Sequence, residues 1–290
     1  MKGLIITNAY SKDQNQQNQP MRLKEEFEKK GIEIVIAHLS VSTCGIENNA
    51  ISQSIDKYDF CVFYDKDNHA LMQIEKAGVK CFNCYEAMTL CDDKMLTYIT
   101  LAGNGIPLPE TYSAPLCYTK NATVKPEALD FIANKLGFPL IVKENYGSLG
   151  KGVYIANDYE ELKKISSSLI YKPHMYQKYI AESRGKDLRV IVIGGKYVGA
   201  MKRTSGGDFR SNISAGGKGE QFVADEETIR LAEKTAKILK LDYCGIDFLF
   251  GKNGPVLCEV NSNAFFKEFE RVTGINVAKI YAEHILKTIK

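Results

Sequence analysis

The sequence predicts a mixed α/β protein, a small strand–helix sheet unit followed by α+β units built on hairpins, and three stretches predict it. Residues 1–85 alternate short apolar strand signals with helix signals, the pattern of a small α/β sheet. Residues 138–156, FPLIVKENYGSLGKGVYIA, read as two strands joined by a glycine-spaced loop. Residues 243–263, YCGIDFLFGKNGPVLCEVNSN, read as two strands around the turn signal Gly251-Lys252-Asn253-Gly254. Asp247, Glu259 and Asn261 are set into these otherwise apolar runs.

In chain order, strands are predicted at 4–7, 32–39, 58–64 and 79–83, with helices near 21–30 and 68–77 closed by Gly31 and Gly78. The segment SKDQNQQNQP reads as a loop after the first strand, where open α/β sheets bind ligands, or as a plain connection. A helix starts at Asp92, DDKMLTYITLAGNG, and stops at its glycines. Lys94 falls in its first turn, where a cation opposes the helix dipole. It is therefore either a functional cation or an ordinary surface lysine. A further helix covers 126–136.

In the 138–156 stretch a strand ends in Lys143, and Gly147, Ser148, Gly150 and Gly152 follow. Glycines let backbone N–H groups approach phosphate oxygens, and the lysine adds a point charge. The GKS or GKT of a P-loop is missing and a strand leaves the loop, so a simple glycine-rich turn is the other reading. Strands at 175–180, 187–193 and 197–203 come next. Asp187 and Arg189 share one face of theirs, with Leu188, Val190 and Val192 on the other. The long segment TSGGDFRSNISAGGKG carries Arg210 and Asn212 and has the length of a lid. Helices at 225–240 and 276–289 flank the last hairpin.

The register of that hairpin can be argued. With Asp247 opposite Glu259, Ile246, Phe248, Phe250, Val256, Cys258 and Val260 form an apolar face, and Asp247, Leu249, Leu257, Glu259 and Asn261 form the other. A slip of one residue would bury Glu259 among phenylalanines, which is costly without a partner. The favoured register calls for an odd-numbered loop, a three-residue turn with Gly254 at φ > 0. Two carboxylates and an amide oxygen then share a face. These are the hard ligands that magnesium takes alongside nucleotide phosphates, or else a solvated polar face.

Composition narrows the function classes. The chain has 290 residues, 44% of them hydrophobic, and a net charge of +3 from 38 basic and 35 acidic residues. No basic block supports nucleic-acid binding. No apolar run reaches the roughly 18 residues of a membrane span, and no cleavage site follows Met1, so a cytoplasmic protein is expected. Eight cysteines lie mostly in apolar runs, and the lone CxxC, Cys81 and Cys84, has no second pair, so buried reduced thiols are expected.

From Cys91 to the C-terminus the motifs CDDK, FPLIVKENYGSLGKGV, YQKYIAESRGKDLRVIVIGGK, MKRTSGGDFRSN, GIDFLFGKNGPVLCEVNSN and TGINVA stand in an order that resembles the RimK-like carboxylate–amine ligases of the ATP-grasp superfamily, α-L-glutamate ligases among them. The resemblance implies an ATP-grasp fold: a pre-ATP-grasp domain (1–90), a small subdomain (91–178) and a C-terminal subdomain (179–290), the latter two clasping ATP. It also implies roles. Lys94 and Lys143 would bind ATP phosphates under the 147–152 clamp, Lys178 and Tyr179 would meet adenine through backbone groups, and Asp187 would hold the ribose. Arg189, Arg203, Arg210 and Asn212 would line the reacting centre, with Arg210 and Asn212 also reaching ATP. Asp247, Glu259 and Asn261 would hold magnesium or manganese.

The implied partners are ATP, an amino acid and a carboxylate on a small molecule, peptide or protein tail, with monomer and homo-oligomer both open. An ATP-grasp kinase and a non-catalytic nucleotide-binding module are the alternatives. The chain departs from the family pattern at Lys178, where an acid is common, and at residues 262–266, which replace a short Ser/Pro/Gly turn.

Overall fold

The structure, a computed structural model, describes residues 1–10, 14–39, 44–53, 55, 57–148, 150–210 and 217–289. Its first part comprises β1 (Lys2–Asn8), α1 (Gln14–Glu28), β2 (Glu33–Leu39), a hairpin of β3 (Cys44–Glu47) and β4 (Ala50–Gln53), β5 (Phe60–Tyr64), α2 (Asn68–Lys76) and β6 (Lys80–Phe82). A parallel sheet runs β2-β1-β5-β6. Its strands are covered on both faces, which is why Leu4, Ile5 and Ile6 run without alternation. The polar segment expected as a loop is a correction. From Gln14 it is the start of α1, because glutamine suits a helix and Leu23 and Phe27 anchor that helix in the core. Residues 11–13 of that segment lie outside the described residues.

Next come α3 (Tyr85–Asp92) and α4 (Lys94–Leu101), where one helix was expected from Asp92. Asp93 divides them: its backbone is extended, and its carboxylate caps α4 by accepting from the N–H groups of Met95 at 2.8 Å and Leu96 at 3.1 Å. The second sheet has β7 (Thr111–Ser113), α5 (Pro126–Leu136), β8 (Leu140–Glu144), β9 (Val153–Ala156), α6 (Tyr159–Leu169) and β10 (His174–Lys178), ordered β7-β10-β8-β9 and antiparallel. Its core, Leu129, Leu140, Val142, Leu162 and Tyr176 among others, is drawn from its own residues.

The third sheet runs β13-β12-β11-β14-β15 from β11 (Lys186–Ile193), β12 (Lys196–Thr204), β13 (Lys218–Phe222), β14 (Tyr243–Gly251) and β15 (Gly254–Asn261). The helix α7 (Glu226–Ile238) precedes the last hairpin, and α8 (Lys267–Thr273) and α9 (Val277–Thr288) follow it. Leu188, Val190, Ile246, Phe248 and Leu257 share a core with Leu231 of α7 and with Ala87, Cys91 and Leu101 of α3 and α4. A second core joins Ile191, Met201 and Tyr243 to α8, α9 and the first sheet through Phe269, Tyr281, Phe27, Phe60 and Phe82. Among the described residues no helix is long and apolar enough to cross a membrane.

The last hairpin keeps the expected pairing of Asp247 with Glu259 but reaches it differently. Gly251 faces Gly254, so the turn has two residues, and a bulge at Cys258 supplies the offset assigned to a three-residue loop. Backbone groups that a bulge removes from the ladder need other partners. Tyr98 of α4 donates its hydroxyl to the carbonyls of Leu257 at 3.1 Å and Cys258 at 2.9 Å, and the Leu257 N–H reaches the Pro107 carbonyl at 2.8 Å. Two expected faces are thereby exchanged. Leu257 is fully buried beside Phe248, while Cys258 turns toward the acids.

Candidate active site

The second and third sheets face each other across a cavity of about 840 Å³, its open mouth included. Asp187, Arg203 and Asp247 line its floor and belong, with Arg189 behind them, to a chain of ion pairs that crosses three strands. Cross-strand pairing sets Asp187 opposite Arg203 and Arg189 opposite Asp247. Arg203 donates to Asp187 through Nε at 2.7 Å and Nη2 at 2.5 Å, and Nη2 also lies 2.9 Å from Asp247 Oδ2. Arg189 donates to both Asp247 oxygens at 2.7 Å. The side chains of Arg203 and Asp247 are each only 3% exposed, so each charge depends on the others. Burial works to raise the Asp247 pKa, but Arg189 and Arg203 outweigh it and hold the carboxyl below its usual range. Burial likewise works to lower Arg203, and the two aspartates more than reverse it.

Two buried lysines stand above this floor. Lys94 is the first residue of α4, so its backbone is fixed by the Asp93 cap. Its Nζ donates to the Gly147 carbonyl at 2.8 Å and lies 3.3 Å from Glu259 Oε1, linking the glycine loop to the acid face. Lys143 on β8 donates to Gln177 Oε1 at 2.7 Å, and its Nζ lies 3.8 Å from Cys258 Sγ. Gln177 is held in turn by its Nε2 donating to Thr111 Oγ1 at 2.9 Å. Neither Gln177 nor Cys258 was picked from the sequence. Gln177 gave one usable signal, a neutral amide that follows the apolar pair Met175 and Tyr176 in a strand; Cys258 gave none, because the bulge decides its direction. Burial pushes the Cys258 thiol up to about 11, against the pull of Lys143.

The glycine loop covers the cavity. Gly147, Gly150 and Gly152 have φ of 139°, 74° and 73°, conformations that favour glycine. A Cβ on Gly152 would also meet the Glu144 side chain at 3.0 Å. Ser148 lines the cavity. Arg210 pairs with Asp208 and donates Nη1 to the Gly150 carbonyl at 3.0 Å, joining the expected lid to the loop. Asn212 lies outside the described residues. At the apolar end stand Ile141, Val153, Tyr179, Ile180 and Leu249. The Lys178 ammonium pairs with Glu110 at 2.8 Å on an exposed surface.

Residues 91–285 match the RimK-like ATP-grasp domain family. The chain belongs to that family. Over 228 residues it is 36% identical to beta-citrylglutamate synthase B of Danio rerio, covering 78% of this chain and 55% of that protein. Over 222 residues it is 35% identical to a probable alpha-L-glutamate ligase of Maridesulfovibrio salexigens, covering 74% of this chain and 70% of that one. The chain thus spans little more than half the length of the synthase. D-alanine–D-alanine ligase from Bacillus anthracis complexed with ATP superposes with a TM-score of 0.75 at 22% identity, over 100% of this chain and 97% of that one. The architecture is an ATP-grasp fold.

Carboxylate and amide oxygens are donors that a divalent metal such as magnesium takes, and the acid face of the hairpin fits one. Asp247 and Glu259 are cross-strand neighbours, and the Asn261 amide lies 3.4 Å from Asp247 Oδ2. Among the described residues no three His, Cys, Asp or Glu side chains gather to hold a metal unaided. An ion here would therefore take its remaining oxygens from phosphate and water, as magnesium does in nucleotide sites. The residues after the acids divide into two kinds. Ala264 and Phe266 are buried in the core, whereas Asn263 and Phe265 are partly exposed.

Proposed function

We propose that this chain is an ATP-dependent carboxylate–amine ligase. A substrate carboxylate oxygen attacks the γ-phosphorus of ATP and ADP leaves. The amine nitrogen then attacks the acylphosphate carbonyl, phosphate leaves with that oxygen, and the amine gives its proton to solvent. The observation that carries this reading is the Asp187–Arg203–Asp247–Arg189 chain beneath Lys94 and Lys143. The aspartates hold the arginines in place, the two lysines add positive charge at the same cavity, and among the described residues no histidine lines it to activate a nucleophile. Phosphoryl transfer needs positioning and charge neutralisation more than a protein nucleophile.

Each group has a place in this reading. Lys94 and Lys143 exchange a carbonyl and an amide oxygen for phosphate oxygens, and the 147–152 loop, with Arg210 upon it, closes over them. Lys178 and Tyr179 meet adenine through their backbone, and Asp187 keeps lone pairs for a ribose hydroxyl. Arg189 and Arg203, with guanidinium N–H groups to spare, face the carboxylate and the developing oxyanion. Asp247, Glu259 and Asn261 would hold magnesium, which when bound offsets charge on the phosphate oxygens. Glutamate, which gives both relatives their names, is the first amine to try.

The test is a matrix of amino acids against candidate acids, read by phosphate release and product mass. Amine-dependent phosphate release with an amide product supports the ligase. A stable phosphorylated product would instead make the chain a kinase, and ATP turnover indifferent to every amine would overturn the ligase reading.

A further inference from the structure

The first sheet precedes residues 91–285, the stretch that matches the family model, yet the residue that follows its last strand is built into the acid-bearing hairpin. Asn83, immediately after β6, is 1% exposed and uses both ends of its amide on that hairpin. Its Nδ2 donates to the carbonyls of Tyr243 at 2.7 Å and Ser262 at 2.9 Å. Its Oδ1 accepts from the N–H groups of Asp242 at 2.7 Å and Tyr243 at 3.0 Å. The strand ladder ends at the pair Gly245 and Asn261. Beyond it, Asn83 bridges Tyr243 on one strand to Ser262 on the other, as a missing rung would. The next residues are tied down too. Asn263 Nδ2 donates to the Asp65 carbonyl at 3.2 Å, and the Tyr243 hydroxyl donates to the Ala264 carbonyl at 2.6 Å. Ala264 sits so close over Gly245 that a Cβ there would lie 2.5 Å from it and 3.4 Å from Arg189 Nε.

We infer that Asn83 is a positioning residue for the metal-binding end of the hairpin, fixing where Asn261 and the Ser262–Ala264 wall stand relative to Asp247 and Glu259. Without its four bonds, Ser262 loses its side-chain tie to the start of β14, and the Tyr243–Ala264 and Asn261–Asp247 contacts are left to hold the end of β15. Asn261 is the last ladder residue and feels this first. The adenine end, formed by Ile141, Val153, Tyr179, Ile180 and Leu249, is remote from the change.

The inference rests on the proposed metal ligands, so the experiment separates the two. Manganese binding to the full chain with a non-hydrolysable ATP analogue is followed by the paramagnetic signal of the free ion, for wild type, Asn83→Ala and Glu259→Gln. Asn83→Ala is expected to weaken manganese binding about tenfold, on the scale of other residues that orient ligands. Analogue affinity at saturating metal should stay within about twofold. Glu259→Gln should weaken manganese at least as much. If Glu259→Gln loses affinity while folded Asn83→Ala does not, the positioning role is wrong and the metal site stands. If neither changes, the metal site itself is wrong. Equal losses of metal and analogue affinity in Asn83→Ala would reduce Asn83 to a general structural residue and overturn the inference. Should Asn83→Ala fail to fold, Asn83→Ser, which keeps one hydroxyl for the same backbone groups, carries the same comparison.

Discussion

The first and second sheets meet the third in opposite ways. The first is joined to it by one apolar core that runs from Phe27, Phe60 and Phe82 to Tyr243, Phe269 and Tyr281, and the Phe82 ring meets His284 of α9 at 6.2 Å across the junction. The second sheet keeps its core to itself and faces the third across charged and amide groups, the cleft contacts of Lys94, Lys143 and Arg210. Apolar area is lost all at once when a junction opens, whereas a polar contact can be exchanged for an equivalent one on a ligand. The first junction therefore makes a fixed platform. The second makes a cleft whose contacts a nucleotide can replace.

Substitutions can break or sharpen this contrast. The largest effect is expected in the platform. Phe60→Ala should cost about 3–5 kcal/mol by urea unfolding, as for other buried phenylalanines, while ATP affinity of the folded protein stays near wild type. A large loss of ATP affinity with little loss of stability would mean the two junctions are not distinct.

Asp247→Asn comes next. Removing the charge between two buried guanidiniums should cost about 3 kcal/mol and abolish turnover. Its pH signature has a definite sign. Asp247 has a depressed folded pKa, so its contribution is present above the ordinary carboxylate value of about 4 and is lost as pH falls through the lower folded value. Stability of the variant should therefore fall less steeply than wild type below about pH 4. An identical acid profile would remove Asp247 from the ion-pair chain.

These two positions also show what was legible in the sequence. The small α/β first sheet, the two hairpins and the pairing of Asp247 with Glu259 follow from hydrophobic runs and turn residues, which act locally. The bulge at Cys258 did not, because its stability comes from Tyr98, some 160 residues away in the chain. The arginines were placed at the reacting centre, but their lock onto Asp187 and Asp247 needs the order of three strands, which no local pattern carries. The start of α1 was hidden by its polar composition, since what holds it is the burial of Leu23 and Phe27 further along.

Two smaller effects probe the cleft alone. Lys143→Ala should weaken ATP binding about tenfold, the scale of one charge-assisted hydrogen bond, with little change in melting temperature. Unchanged nucleotide affinity in a titration would remove it from the site. Lys178→Ala should change stability by no more than about 0.5 kcal/mol and ATP affinity by less than about twofold, because its ammonium pairs with Glu110 in solvent. A tenfold loss would show that its side chain reaches the base.

The most direct measurement follows the oxygen that the proposed chemistry moves. With a substrate acid labelled with heavy oxygen on its carboxylate, the acylphosphate route predicts that one labelled oxygen from each turnover appears in the released phosphate, seen by mass or by the phosphorus resonance. Phosphate free of label alongside a genuine amide product would contradict the account, because the carboxylate would then have been activated in some other way.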